Sequence, residues 1–230
     1  MSKQLPLGLR LKQSARFSNF VAGPNEELLE QLQQSARGCG EPFVLCWGST
    51  GCGKTHLLQA CCHLAGDTDR TVAYLSFREA SQLKPQLLEG WEYFDLVCLD
   101  DVDLIAAAPL WEEALFHLYN RIREQAGTLL MSSAQAPSQL PIRLEDLRSR
   151  LNAAVVYPLK ALNDDQRLQV LQLRASQRGC QIPEETGRYL LRRMPRELPA
   201  LLELLDHLDE ASLVAQRKLT VPFVKSVLGL

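Results

Sequence analysis

Gly48-Ser49-Thr50-Gly51-Cys52-Gly53-Lys54-Thr55 is a complete G-x-x-x-x-G-K-[ST] run, and its setting decides the fold. The apolar stretch Phe43–Trp47 precedes it, and a helical pattern starts at Lys54. A strand, a glycine-rich turn and a helix in that order make a phosphate-binding loop. The glycines let successive backbone N–H groups converge on a polyphosphate. The helix starting near Gly53 aims its positive end at the same place. Lys54 supplies a point charge for the β and γ phosphates, and Thr55 a hydroxyl for Mg2+. The loop, with the adjoining His56, is therefore the expected binding set for a nucleoside di- or triphosphate.

Outward from the loop, apolar strands alternate with helices. Strands are expected at Thr71–Ser76, Leu96–Leu99, Thr128–Ser132 and Ala153–Tyr157, with a weaker helix near Arg78–Glu89. A long amphipathic helix over Leu110–Gln125 places Leu110, Trp111, Ala114, Leu115, Leu118 and Ile122 on one face. Upstream, Leu28, Leu29 and Leu32 mark a helix that Asn25 can cap and that Gly38-Cys39-Gly40 ends. The alternation predicts an α/β domain with a parallel five-stranded sheet covered on both faces. After Pro158 the pattern is helical only. Asn163 and Gln166 form a capping box, Gly179 ends that helix, Pro183 and Pro195 occupy first helical positions, and Thr220 opens the last helix. Three segments result: a flexible tail over 1–12, a nucleotide-binding base over 13–158 and a small all-helical lid over 159–230.

At 230 residues and 46% hydrophobic content the chain can bury a sizeable core. A net charge of −2 leaves no basic excess to hold nucleic acid by charge, so direct sequence-specific DNA binding is not expected. The N-terminal apolar element is broken by Pro6 and Gly8, unlike a signal peptide. No apolar run approaches the ~20 residues of a membrane span. The 7 cysteines lack C-x-x-C spacing and read as reduced, mostly buried thiols of a cytoplasmic protein.

Leu96-Val97-Cys98-Leu99-Asp100-Asp101 ends an apolar strand in two carboxylates. Buried carboxylates are costly unless they are paired or face a cation. Beside the loop, Asp100 is placed to orient the Mg2+ shell and Asp101 to polarise an attacking water.

A phosphate loop, an apolar strand ending in Asp-Asp and some seventy helical residues at the end resemble the AAA+ ATPases. Phe17-Ser18-Asn19-Phe20-Val21-Ala22-Gly23-Pro24-Asn25 is similar to the F-x-N-F-x-x-G-x-N segment of the replication initiator DnaA. In that family the segment borders the adenine pocket, which adds Phe17 and Phe20 to the expected site and makes ADP or ATP the ligand. Asp146-Leu147-Arg148-Ser149-Arg150-Leu151 resembles the initiator's S-R-[FL] segment. There the second arginine is a finger that reaches a nucleotide on a neighbouring subunit, which implies that role for Arg150. Arg196-Glu197-Leu198 resembles the sensor-2 segment, whose arginine touches bound phosphates. Initiators usually continue S-D-R after strand four, whereas this chain reads Ser133-Ala134-Gln135.

The tail Gln4-Leu5-Pro6-Leu7-Gly8-Leu9 resembles the Q-L-x-L-x-L peptide that docks bacterial proteins on the sliding clamp. Gln4 would bond at a groove rim while Leu5, Leu7 and Leu9 fill an apolar pocket. Together these segments resemble the Hda-type regulatory inactivators of DnaA over nearly the whole chain. The resemblance implies a negative regulator of replication initiation. Bound to the β subunit of DNA polymerase III, the sliding clamp, it stimulates hydrolysis of ATP on DnaA. Its own turnover is expected to be slow or absent, and self-association is compatible with the reading. Two alternatives stand beside it: an autonomous AAA+ ATPase or DNA-binding motor, and a clamp-bound adaptor with a structural nucleotide.

Overall fold

The computed structural model describes residues 11–78, 83–194 and 197–229. Gln4, Leu5, Leu7, Leu9, Pro195 and Arg196 lie outside them. The described chain divides into two compact units, one ending at Ala161 and the other starting at Leu162.

In the first unit, strands β1 (Phe43–Trp47), β2 (Val72–Ser76), β3 (Leu96–Asp100), β4 (Thr128–Ser133) and β5 (Val155–Pro158) form one sheet. Their order is β2-β3-β4-β1-β5, and every pairing is parallel. Strand residues alternate between faces, and here both faces are apolar. Leu45, Val97, Leu99, Leu129 and Met131 pack on one side under α3 (Pro109–Glu124) and α4 (Glu145–Ala153). Val44, Cys46, Cys98 and Leu130 pack on the other with α1 (Glu26–Arg37) and α2 (Lys54–Gly66). This double cover is why β3 and β4 are fully buried and read as unbroken apolar runs.

Several expectations need correction. The weaker helix near Arg78–Glu89 is absent among the described residues, which show only a short 3-10 turn at Pro85–Leu88. Pro85 keeps Lys84 extended, and Gly90 adopts a left-handed conformation just beyond. Asn25 precedes α1 but does not cap it. Its buried amide donates to the Lys160 carbonyl (3.1 Å) and accepts from the Lys160 N–H (2.8 Å). Leu11 and Lys12, placed in the tail by sequence, pack on the base: Lys12 N–H donates to Gln59 Oε1, and its carbonyl meets His63. Leu110 faces solvent, because the buried stripe of α3 runs through Glu112, Leu115, Leu118, Tyr119 and Ile122. Residues 145–153 form α4, so Ala153 ends a helix and β5 starts at Val155.

The second unit comprises α5 (Asp164–Gln177), α6 (Glu184–Arg193), α7 (Leu198–Ala215) and α8 (Val221–Leu228). Leu171, Leu190, Leu205, Leu208 and Val224 form its core. The Asn163–Gln166 capping box is present with both reciprocal bonds at 2.9 Å. Gly179 adopts the left-handed conformation that ends α5. Pro183 is the N-cap of α6 rather than its first helical residue, because its ψ is extended.

Candidate functional site

The loop between β1 and α2 is shaped by close approaches that only glycine permits. A Cβ on Gly48 would lie 2.7 Å from the Leu159 carbonyl oxygen. The Gly48 N–H also bonds the Ser133 carbonyl, tying the loop to the end of β4. Gly53 has φ +109 as the N-cap of α2, and a Cβ there would meet the Phe20 ring at 2.7 Å. Ser49 and Thr50 face solvent, while Gly51 and Cys52 are half-buried. Burial pushes the Cys52 thiol up, with Lys54 offsetting part of the shift. Burial thus favours the protonated thiol over the reactive thiolate.

Lys54 is buried, and its Nζ donates to the Gly48 carbonyl (2.7 Å) and the Ser49 carbonyl (3.2 Å). The ammonium thus lies inside the curl of the loop. Thr55 is exposed on the first turn of α2. The Phe20 ring covers Gly53 and packs on His56 with ring centroids 5.5 Å apart. His56 Nε2 also meets the Arg16 carbonyl at 2.9 Å. Phe17 packs against the apolar cluster beneath α2. The segment therefore forms an aromatic rim at the loop.

Asp100 is fully buried at the end of β3. Tyr74 OH donates to its Oδ2 at 3.0 Å, and Ser132 Oγ donates to its Oδ1. The Tyr74 proton is held tightly, since burial and the neighbouring Asp100 push that phenol well above its ordinary range. Tyr74 in turn accepts from Gln59 Nε2, the residue whose Oε1 holds Lys12 N–H. Asp101 takes a left-handed φ of 60, and its N–H donates to Ser132 Oγ. Burial, then the Asp100 charge, raises the Asp101 carboxyl, and an Arg78 Nε–Oδ2 pair at 3.1 Å partly offsets this. Asp103 accepts the Ala134 N–H beyond β4, in the turn where the sequence lacks an acidic sensor neighbour.

Thr55 and Asp100 supply one hydroxyl and one carboxylate. Among the described residues no group of three or more His, Cys, Asp or Glu is arranged to hold a metal. This donor set suits Mg2+ carried in with phosphates rather than a dedicated cation cage.

Arg150 is on the last turn of α4, half-buried, with Nε donating to Asn120 Oδ1 of α3 at 3.1 Å. Arg148 is exposed and paired with Glu145 on its own helix. The start of α4 is also fixed by α3. Glu112, 1% exposed, accepts the N–H groups of Ala107 (2.7 Å), Arg143 (3.0 Å) and Leu144 (2.8 Å). Sequence reasoning missed Tyr74, Arg78, Glu112 and Asn120. Glu112 carried one signal, a carboxylate three residues before Leu115 on an apolar stripe.

The sequence matches the family described as the bacterial DnaA ATPase domain over residues 11–157, and the Hda lid domain over residues 164–228. Among solved structures, domain III of the replication initiation protein DnaA from Thermotoga maritima is 20% identical with a TM-score of 0.82. That match covers 96% of this chain and 98% of the other. AMPPCP-bound DnaA from Aquifex aeolicus is 23% identical, covering 85% and 66%, with a TM-score of 0.72. The Thermotoga maritima RuvB Holliday junction branch migration motor shares the fold at 15% identity, covering 89% and 68%, with a TM-score of 0.66.

Proposed function

This chain belongs to the bacterial DnaA ATPase family, with an Hda-type lid, and from that premise we propose that it is a regulatory inactivator of the initiator. In this reading it binds ADP or ATP with Mg2+ on Gly48–Thr55, beside Phe17, Phe20 and His56. Lys54 takes the phosphates, Thr55 and Asp100 hold the ion's shell, and Arg196 of the lid adds a further phosphate contact. Gln4, Leu5, Leu7 and Leu9 dock on the sliding clamp, and Arg150 is delivered to ATP bound on DnaA. In this reading the protein works in the cytoplasm. Among the described residues no helix is long and apolar enough to cross a membrane.

One contrast carries the proposal. Asp101, the carboxylate placed to activate water for the chain's own nucleotide, is tied to Arg78. Arg150 is held at Nε alone, and among the described residues its two Nη groups have no hydrogen-bond partner. A guanidinium with a free fork suits bidentate contact to phosphate oxygens. Delivered to a developing negative charge, such a group accelerates phosphoryl transfer by about 10³–10⁵.

The test is hydrolysis of initiator-bound ATP with this protein and DNA-loaded clamp, each omitted in turn. Stimulation should require both. Replacing Gln4, Leu5 and Leu7 with Ala should abolish stimulation and co-elution with the clamp while leaving ADP binding intact. Rapid turnover by the pure protein alone would instead favour an autonomous ATPase.

A further inference from the structure

The guanidinium of Arg150 can act on a phosphate of another molecule only if its plane is fixed before the encounter. A free arginine side chain has ~2 kcal/mol of rotamer entropy to lose. In this fold the fixing comes from α3. Asn120 Oδ1 accepts from Nε at 3.1 Å, the one guanidinium nitrogen that is not part of the terminal fork. An acceptor at that atom sets the plane while leaving both Nη groups to point elsewhere. The oxygen assignment is forced by chemistry, because Nε only donates.

The same helix also holds the other end of α4. Glu112 accepts from Arg143 and Leu144 just before Glu145, where α4 starts. Glu112 and Asn120 are eight residues apart, about 12 Å along the helix axis, while the nine residues of α4 extend about 13 Å. One helix therefore fixes both the origin of the arm and the group at its tip. Tyr119, next to Asn120, stacks on Phe43 of β1 with centroids 4.2 Å apart, so this part of α3 is itself pinned to the sheet.

We propose that Asn120 is a positioning residue for Arg150, holding the guanidinium by Nε so that its Nη fork is presented to the partner's phosphate. The inference rests on the proposed finger role, but its physical core, the Asn120–Arg150 hold, can be read without any partner. Two variants of the full-length protein separate the possibilities. Asn120→Leu removes the acceptor at similar volume, and Asn120→Asp keeps an acceptor in the same place.

In nitrogen-edited NMR the Arg150 Nε–H signal, assigned by its loss in Arg150→Ala, should be protected from solvent exchange in the unsubstituted protein and in Asn120→Asp. It should lose protection in Asn120→Leu. In the stimulation assay, Asn120→Leu should lower the maximal rate about tenfold, as expected for a misplaced catalytic group. The concentration giving half-maximal stimulation, ADP affinity and the thermal midpoint should not move.

Persistent Nε–H protection in Asn120→Leu would overturn the proposal. So would an unchanged maximal rate in Asn120→Leu when Arg150→Ala abolishes stimulation. Should Arg150→Ala itself leave stimulation intact, the finger reading fails, and the NMR comparison still judges the hold.

Discussion

The charged groups around the phosphate loop and the arginine at the end of α4 belong to one unit but direct their charge oppositely. Lys54 points into the loop carbonyls, Asp100 accepts hydrogen bonds from two hydroxyls, and Asp101 is engaged by Arg78. Each is satisfied by its own fold, as buried polar groups must be. Arg150 is fixed at one nitrogen and otherwise unengaged among the described residues. Under the proposed function, the first set would hold the chain's own nucleotide and Arg150 would act on another.

The strongest attempt to break that contrast is at Arg150. Arg150→Ala should reduce stimulated hydrolysis on DnaA by about 10³ or more. Arg150→Lys should fail nearly as badly, since an ammonium keeps the charge but lacks the planar fork. Both should bind ADP normally by calorimetry; near-normal stimulation by either would sink the finger assignment and make Arg148 the next residue to test. Lys54→Ala probes the opposite pole. Losing a charge-assisted phosphate contact costs about 1.5–3 kcal/mol, so ADP should bind at least tenfold more weakly. Equal affinity would show that the loop does not hold phosphate.

Arg78→Ala sharpens the comparison more gently. With Asp101 released, any ATP turnover by the pure protein should rise by up to about tenfold. Arg78 also holds the Asp101 carboxyl down against burial and the Asp100 charge. Without it that carboxyl titrates at higher pH, so the acid limb of the intrinsic rate should move upward in a pH profile. A fall in turnover would show that Arg78 assists rather than restrains.

The smallest effect concerns the thiols. Burial pushes Cys46 up to about 12 and holds Cys61 and Cys98 well above their ordinary range. A thiol with a pKa near 12 is ionised to only about one part in 10⁴ at pH 8. Exposed Cys39 should therefore react first with a thiol reagent, and these three should wait for unfolding. Prompt labelling of Cys46 would mean that the sheet beneath the loop opens readily.

The features legible in the sequence are those whose chemistry is local. Gly48–Thr55 and Leu96–Asp101 are contiguous, so residue type and order alone carry their meaning. Asn163 and Gln166 were equally legible, being three residues apart on one turn. What escaped depends on distant partners. Arg78 meets Asp101 across 23 positions, Asn120 meets Arg150 across 30, and Asn25 meets Lys160 across 135. Read locally, Asn25 before a helical run is a cap; only the fold shows its amide in use elsewhere. The expected helix near Arg78–Glu89 failed for a different reason: Lys84-Pro85 and Gly90 were breakers already on view.

The Asn25 amide has a mechanical consequence. By donating to and accepting from the backbone of Lys160, it riveted two distant points of the chain into a closed ring. A pull applied at residue 161 meets this pair before it reaches β5, an edge strand paired with β1. A load that the second unit puts on its connection therefore meets the rivet first, ahead of the sheet that carries the phosphate loop.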